Sequence, residues 1–189
     1  MRQDIMIAVN NANTGSQIKS LLTTNGFAVG DICTSGNDAI RKARLKQTEL
    51  LILNFDLSDM TGVEVSKILG ADELCSIILL TSETQKEFVD DKVAHLDLVC
   101  ISKPINKTIL LQAVEVMLKT RKKIVKLKAE VMTLKEDIKT RKMIEKAKGL
   151  LMEKLGMSEN EAYRKIQKNS MDSGVTMKDI AKVIVDTMQ

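Results

Sequence analysis

Three short runs of apolar residues constrain this chain more than any other feature: IMIAV at Ile5–Val9, LLILNF at Leu50–Phe55 and SIILLTS at Ser76–Ser82. An alternation of apolar and polar residues would mark a strand with one wet face. A nearly unbroken apolar run of this length marks a strand covered on both faces. FAVGDIC at Phe27–Cys33 and LDLVCIS at Leu96–Ser102 complete a set of five strands. Helix-length segments separate them. One is capped near Asn13, Thr14 or Ser16, buries Ile18, Leu21 and Leu22, and closes at Gly26. A second spans Asn37–Lys46, a third contains Val63, Val65 and Ile68, and a thin one lies around Glu83–Val93. Strict alternation of strand and helix predicts an α/β fold, a doubly wound, five-stranded parallel sheet. Ligands of such sheets gather at the carboxyl ends of the strands. Those ends are Asn10–Asn11, Asn54, Thr81–Ser82 and Ser102–Lys103–Pro104.

Composition agrees and excludes several alternatives. Only 9 Gly, 1 Pro, 3 Phe and 1 Tyr argue against an all-β sandwich. Apolar content of 44% with 29% charged residues is too hydrophobic for wholesale disorder. No apolar run reaches the roughly 18–20 residues of a membrane span, and the N-terminus carries no secretory pattern, so a cytoplasmic location is expected. Cys33, Cys75 and Cys100 lie too far apart for metal-ligand spacing and are odd in number. His95 is the sole histidine and has no nucleophile pattern beside it. No catalytic residues, metal site or cofactor are expected.

The formal net charge of +4 conceals an asymmetry. Residues 1–118 carry 11 basic and 15 acidic side chains, and residues 119–189 carry 18 and 10. An acidic part joined to a basic part suggests a regulatory module and a polyanion-binding module, against the plainer alternative of a solvated Lys-rich helix. From Ile109 to about Leu155 there is no Pro, and the only Gly is Gly149. One heptad frame runs through it, with Leu110, Met117, Ile124, Val131 and Ile138 at a and Ala113, Thr120, Leu127, Leu134 and Arg141 at d. β-Branched a residues with Leu at d favour a parallel two-stranded coil. A homodimer through Ile124, Leu127, Val131, Leu134 and Ile138 is expected. Upstream the seam weakens, as it must if that stretch also packs on the sheet. The alternative is one amphipathic helix docked on its own domain.

Beyond the coil the chain reads as three short helices. Gly156 ends the long helix, Ser158 with Glu161 opens the next, Gly174 ends it, and Thr176 with Asp179 opens the last. Met143, Ile144, Ala147, Leu150 and Leu151 form the stripe that faces Ala162 and Ile166. Met152 and Met157 are also read as core. The expected domains are residues 1–118, a linker at 119–140, and a module at 141–189.

Two resemblances follow from these residues. Thr81 and Lys103–Pro104, each ending an apolar strand, resemble the response-regulator receiver domain, whose flavodoxin-like fold matches the element order. The resemblance implies a phosphoacceptor aspartate eight residues before Gly62 and two adjacent acids after the first strand. This chain has Asn54, Asn10 and Asn11 there. An amide is a poor nucleophile, and neutral amides hold Mg²⁺ weakly. With Thr81 and Lys103 these residues form a degenerate phosphorylation site, and Lys103 is expected to bond the amide oxygen of Asn54. Cys100 stands where receivers often carry an aromatic switch residue. Asp56 and Asp59 lie in the following loop, where no acceptor is expected.

The string from Arg141 through Val185 resembles the ANTAR domain, an RNA-binding antitermination module, in Ala147, Lys148, Gly149, Leu151, Met152, Ala162, Ser170, Met171 and Ala181. The resemblance implies a two-component-type transcription antitermination regulator that binds stem-loops in leader mRNA. Lys142, Lys146, Lys148, Arg164, Lys165 and Lys168 are the expected phosphate contacts, and Ala147 and Gly149 the close-approach surface, with helix–helix packing the alternative for Gly149. Tyr163 can stack on a base, although core packing is the simpler reading. A sensor or other regulatory protein is a further expected partner. The rival readings are a DNA-binding response regulator and a coiled-coil scaffold without nucleic-acid affinity.

Overall fold

The structure is a computed structural model that describes residues 5–46, 48–72, 74–86, 89 and 98–188. Its elements are β1 (Ile5–Ala8), α1 (Ala12–Thr24), β2 (Val29–Cys33), α2 (Gly36–Lys46), β3 (Leu50–Asn54), α3 (Gly62–Ala71), β4 (Ser76–Thr81) and β5 (Leu98–Ser102). They continue with α4 (Lys107–Leu155), α5 (Glu159–Ser173) and α6 (Met177–Met188). The helix expected at Glu83–Val93 is described only at 83–86 and 89, and its remaining positions lie outside the described residues. The chain divides between Ile124 and Val125 into two compact units, a division that falls inside α4.

In the first unit all strand pairs are parallel, in the order β2-β1-β3-β4-β5. Side chains of a strand alternate between faces. Ile5, Ile7, Leu50, Ile52, Ile78 and Leu80 therefore enter one core with Ile18 and Leu22 of α1 and Leu110, Val114 and Met117 of α4. Met6, Ala8, Leu51, Leu53, Ile77 and Leu79 enter the other with α2 and α3. Both faces are covered, which is why the runs are continuously apolar. The chain moves outward from β1 in both directions, to β2 on one side and β3 on the other. This opens a crevice at the carboxyl ends of β1 and β3.

Two local devices shape that end. Asn11 Oδ1 accepts from the backbone N–H of Asn13 at 2.8 Å and is the N-cap of α1. The cap is thus Asn11 rather than Asn13, Thr14 or Ser16, because the chain leaves β1 extended and turns helical only after it. Gly62 packs its α-carbon so tightly that a Cβ there would press on the carbonyl oxygen of Asn54, and its N–H donates to Phe55 O at 2.6 Å. Only glycine permits that closure of the β3–α3 loop.

In the second unit, Ala147, Leu151, Ala162, Ile166, Ala181 and Val185 are buried together, with Met143, Ile144, Leu150 and Met157 packed against them. The helix boundaries follow the expected signals. Ser158 and Glu161 form a reciprocal capping box, Gly174 is left-handed at φ 66°, and Thr176 exchanges hydrogen bonds with Asp179. Met152 is 40% exposed and so is not core.

Candidate functional site

Asn54 ends β3 and is only 2% exposed, because β1 and β4 flank it. Its amide is tied at both ends: Nδ2 donates to Asp56 O at 2.9 Å, and Oδ1 accepts from Lys103 Nζ. Lys103 reaches this point from the end of β5, where the Lys103–Pro104 peptide is cis and Lys103 N donates to Thr81 O at 2.7 Å. Asn10, Thr14, Asn54 and Lys103 line one cavity of about 310 Å³. The Thr81 hydroxyl is buried without a hydrogen-bond partner among the described residues. Of the five residues expected at the degenerate site, Asn10, Asn54 and Lys103 meet in this cavity and Thr81 is joined to it through Lys103. Asn11 is engaged instead in capping α1.

The acids nearest in sequence are committed elsewhere. Asp59 accepts from the backbone N–H groups of Asn37 at 3.0 Å and Gly36 at 2.6 Å, and these bonds hold its carboxyl below the usual carboxylate range. It thereby caps α2. Asp56 accepts from Gln85 Nε2 at 3.0 Å. A hard divalent cation prefers several carboxylate oxygens. Asn10 and Asn54 offer neutral oxygens, and an ammonium already sits on one of them. The residues present do not fit Mg²⁺. Cys33 and Cys75 are buried, and desolvation pushes their thiols up to about 11 and about 12, so neither is a ready nucleophile.

In the helical unit the expected interface divides. Lys142 and Lys146 are exposed and, with Lys139 and Lys178, surround Met143 in an open cavity of about 350 Å³. Lys178 also pairs with Glu136. Arg164, Lys165 and Lys168 are exposed on α5, and none of them lines that cavity. Gly149 is exposed, and a Cβ there would meet nothing within 4 Å. It is not a helix-packing glycine but an open stretch of backbone.

Three expectations need correction. Ala147 is fully buried in the three-helix core and cannot form a contact surface. Lys148 is 7% exposed, with its ammonium held by Glu159 at 2.7 Å and Glu145 at 2.9 Å. These bonds, Glu159 first, raise its pKa and leave it a poor phosphate contact. It pins α5 to α4 instead. Tyr163 is 42% exposed rather than core, so its ring is available for stacking. Sequence reasoning also missed Lys139 and Lys178. The spacing of Lys139, Lys142 and Lys146 on one helix was a usable signal, but Lys178 arrives from α6.

The coil residues are apolar and uncovered. Leu127 is 58% exposed, Val131 47%, Leu134 60% and Ile138 54%, while Ile124 is half-buried. Leu110 and Met117, from the same heptad frame, are buried in the receiver-like core. No helix of the described residues is long and apolar enough to cross a membrane.

Comparison with known proteins agrees with this division. The response regulator receiver domain matches residues 5–115 and the ANTAR domain matches residues 132–185. The transcriptional regulatory protein PdtaR of Mycobacterium tuberculosis is 29% identical over 184 residues, covering 97% of this chain and 90% of that protein. The DNA-binding response regulator MtrA of Mycobacterium leprae is 30% identical over 87 residues, 44% of this chain and 37% of MtrA. The signal receiver domain of a modulated diguanylate cyclase from Desulfovibrio desulfuricans superposes with a TM-score of 0.57 at 20% identity, over 62% of this chain and 94% of that one. A five-stranded parallel sheet with this order, followed by helices that match a second regulatory module, places the chain in the response-regulator receiver family, with an ANTAR domain behind its receiver.

Proposed function

We propose that the protein is a non-enzymatic, cytoplasmic transcription antitermination regulator, organised as residues 1–118, 119–140 and 141–189. In this reading a homodimer binds paired stem-loops in nascent leader RNA and so keeps the terminator hairpin from forming. The observation that carries it is the exposed basic surface on α4, at Lys139, Lys142 and Lys146, inside the segment that matches ANTAR. Cations of this kind neutralise phosphates, while the bare backbone at Gly149 and the ring of Tyr163 suit unstacked bases of a loop. Arg164, Lys165 and Lys168 extend the phosphate contacts along α5. Dimerisation runs through Ile124, Leu127, Val131, Leu134 and Ile138, and the exposure of the last four on a single chain is what a coil seam requires.

The receiver part acts without phosphorylation. Asn54 supplies no nucleophilic carboxylate, and the group beside it is an ammonium rather than a metal cradle. Its input is then a protein partner or a ligand rather than phosphoryl transfer.

The test is binding of a tandem stem-loop leader RNA against duplex DNA of the same sequence, across a salt series, with and without acetyl phosphate and Mg²⁺. RNA-selective binding that acetyl phosphate leaves unchanged is the expected result. Preference for the duplex supports the DNA-binding rival, and no affinity for either supports the scaffold. A phosphoryl adduct on an aspartate, seen by mass spectrometry, overturns the unphosphorylated reading.

A further inference from the structure

The crevice at the ends of β1 and β3 has an unusual charge balance. Lys103 brings a full positive charge to the cavity, and the only hydrogen bond of its ammonium among the described residues is to the neutral oxygen of Asn54. No ion pair involves it among those residues. The first turn of α1 contributes Thr14 to the same wall and contains no acidic residue. The positive end of that helix, worth roughly half a charge, therefore adds to the ammonium instead of being neutralised. An ammonium has three donors, of which one is used. Asn10 contributes another amide to the rim, and the Thr81 hydroxyl, one residue past the lining residue Leu80, lacks a partner among the described residues. Lys103 is exposed as a residue, but its Nζ sits on the buried Asn54 with no counter-charge among the described residues, an arrangement that favours capture of an anion.

The rest of the lining is apolar, formed by Val9, Leu80, Pro104 and Ile105. About 310 Å³ is at the small end of the range of ligand pockets. One ammonium and a helix end balance a monoanion better than a dianion. We propose that this cavity binds a small aliphatic carboxylate without any metal ion. The carboxylate accepts from Lys103 Nζ and the rim amides, and its hydrocarbon body lies against the apolar lining. Replacement of acids by amides has thus turned a cation-binding, phosphoryl-accepting corner into an anion receptor. The inference concerns the receiver alone and stands whether or not the helical unit binds RNA.

The test uses the full chain in EDTA, ¹⁵N-labelled and titrated separately with acetate, butyrate and inorganic phosphate. Butyrate is expected to shift the amides of residues 12–14 and Lys103 saturably, more tightly than phosphate, and with an affinity that added Mg²⁺ leaves unchanged. Lys103→Gln, with its circular dichroism intact, should weaken butyrate at least tenfold. Asn54→Asp keeps the contact to Lys103 but neutralises it, and should abolish carboxylate binding while creating a response to Mg²⁺. Absence of saturation, a requirement for Mg²⁺, tighter binding of phosphate, or unchanged butyrate affinity in both variants would each overturn the proposal.

Discussion

The receiver buries β1, β3 and β4 along their whole length, whereas the C-terminal helices share six buried apolar side chains among the described residues, three of them alanines. The first arrangement stacks branched aliphatic residues on both sides of a sheet and gains roughly 1.5–3 kcal/mol from each fully buried one. The second brings helices close together but removes little surface from water. Its order rests more on polar detail: the Ser158–Glu161 capping box, the Thr176–Asp179 exchange, the left-handed Gly174 and the Lys148 clamp. The functional groups follow the same split. In the receiver the candidate residues gather at Asn54, which is almost inaccessible although Asn10 and Lys103 beside it are exposed, and in the helical unit the candidate basic residues Lys142, Lys146, Arg164, Lys165 and Lys168 stand on the outside. A large core can enclose a chemical site, while a small core can only present one.

That contrast can be broken most directly by cutting each core once. Leu151→Ala and Ile52→Ala both remove a fully buried aliphatic side chain, at a cost of about 2–5 kcal/mol each. A module of this size holds only about 3–5 kcal/mol, so Leu151→Ala should unfold it at 25 °C. Ile52→Ala should leave a folded receiver with a lower urea midpoint. Segment-resolved hydrogen exchange would show it, and equal survival of both units would contradict the ranking.

The next largest effect concerns the seam. Leu127→Lys with Leu134→Lys should turn a dimer into a monomer in sedimentation experiments at tens of micromolar, an order of magnitude suited to a short coil. The receiver's hydrogen-exchange protection should not change. A wild type that is already monomeric under those conditions removes the coil from the argument.

A smaller effect separates charge from shape on the helical surface. Lys146→Ala and Arg164→Ala should each lower the salt slope of RNA binding by roughly 0.7–0.9 and weaken binding across RNA sequences. Gly149→Leu should weaken binding with little change in slope, since it fills open space and carries no charge. Lys148→Ala should act differently from both, lowering the thermal midpoint of the helices before any contact with RNA is lost.

The smallest expected effect is on pH. Hydrogen bonds and ion pairs in the helical unit lower the pKa of Glu136, Glu159, Glu161 and Asp179. Groups with depressed folded-state values stabilise fully above their ordinary values of 4.5 for Glu and 3.8 for Asp, and lose that contribution as pH falls through the folded values. The melting temperature of the helical unit should therefore decline modestly from pH 6 towards pH 3. Glu159→Gln should flatten that decline.

The receiver was legible because its three central strands are written as continuous apolar runs and its first helix closes at Gly26. The Asn54–Lys103 bond was also foreseeable, because the receiver resemblance brings the two strand ends to one site, and β3 and β5 indeed both flank β4. The cap of α1 was not, because which of several Asn, Thr and Ser residues caps a helix depends on the backbone angles where the strand exits. In the helical unit the stripe through Ala147 was legible from 3.6-residue spacing, and it contradicts a surface role for the same residue. Lys148 is a different matter. Its burial depends on Glu159, which comes from another helix, and a lysine in a basic segment gives no hint of such a partner. Lys178 was hidden for the same reason.

The tethering of Asn54 bears finally on how the protein ages. Asparagine turns into aspartate when the nitrogen of the following residue attacks the side-chain carbonyl, closes a five-membered imide ring with loss of ammonia, and water then opens that ring to aspartate or isoaspartate. Here the Phe55 nitrogen donates to Leu80 O at 2.9 Å, and both ends of the Asn54 amide are occupied. The attack has neither a free nitrogen nor a mobile carbonyl. Peptide mass spectrometry of long-incubated protein should find the amide retained in the native state and lost sooner in urea. Asn54 thus stays an amide in the native state, and no slow chemical clock puts a carboxylate at the end of β3.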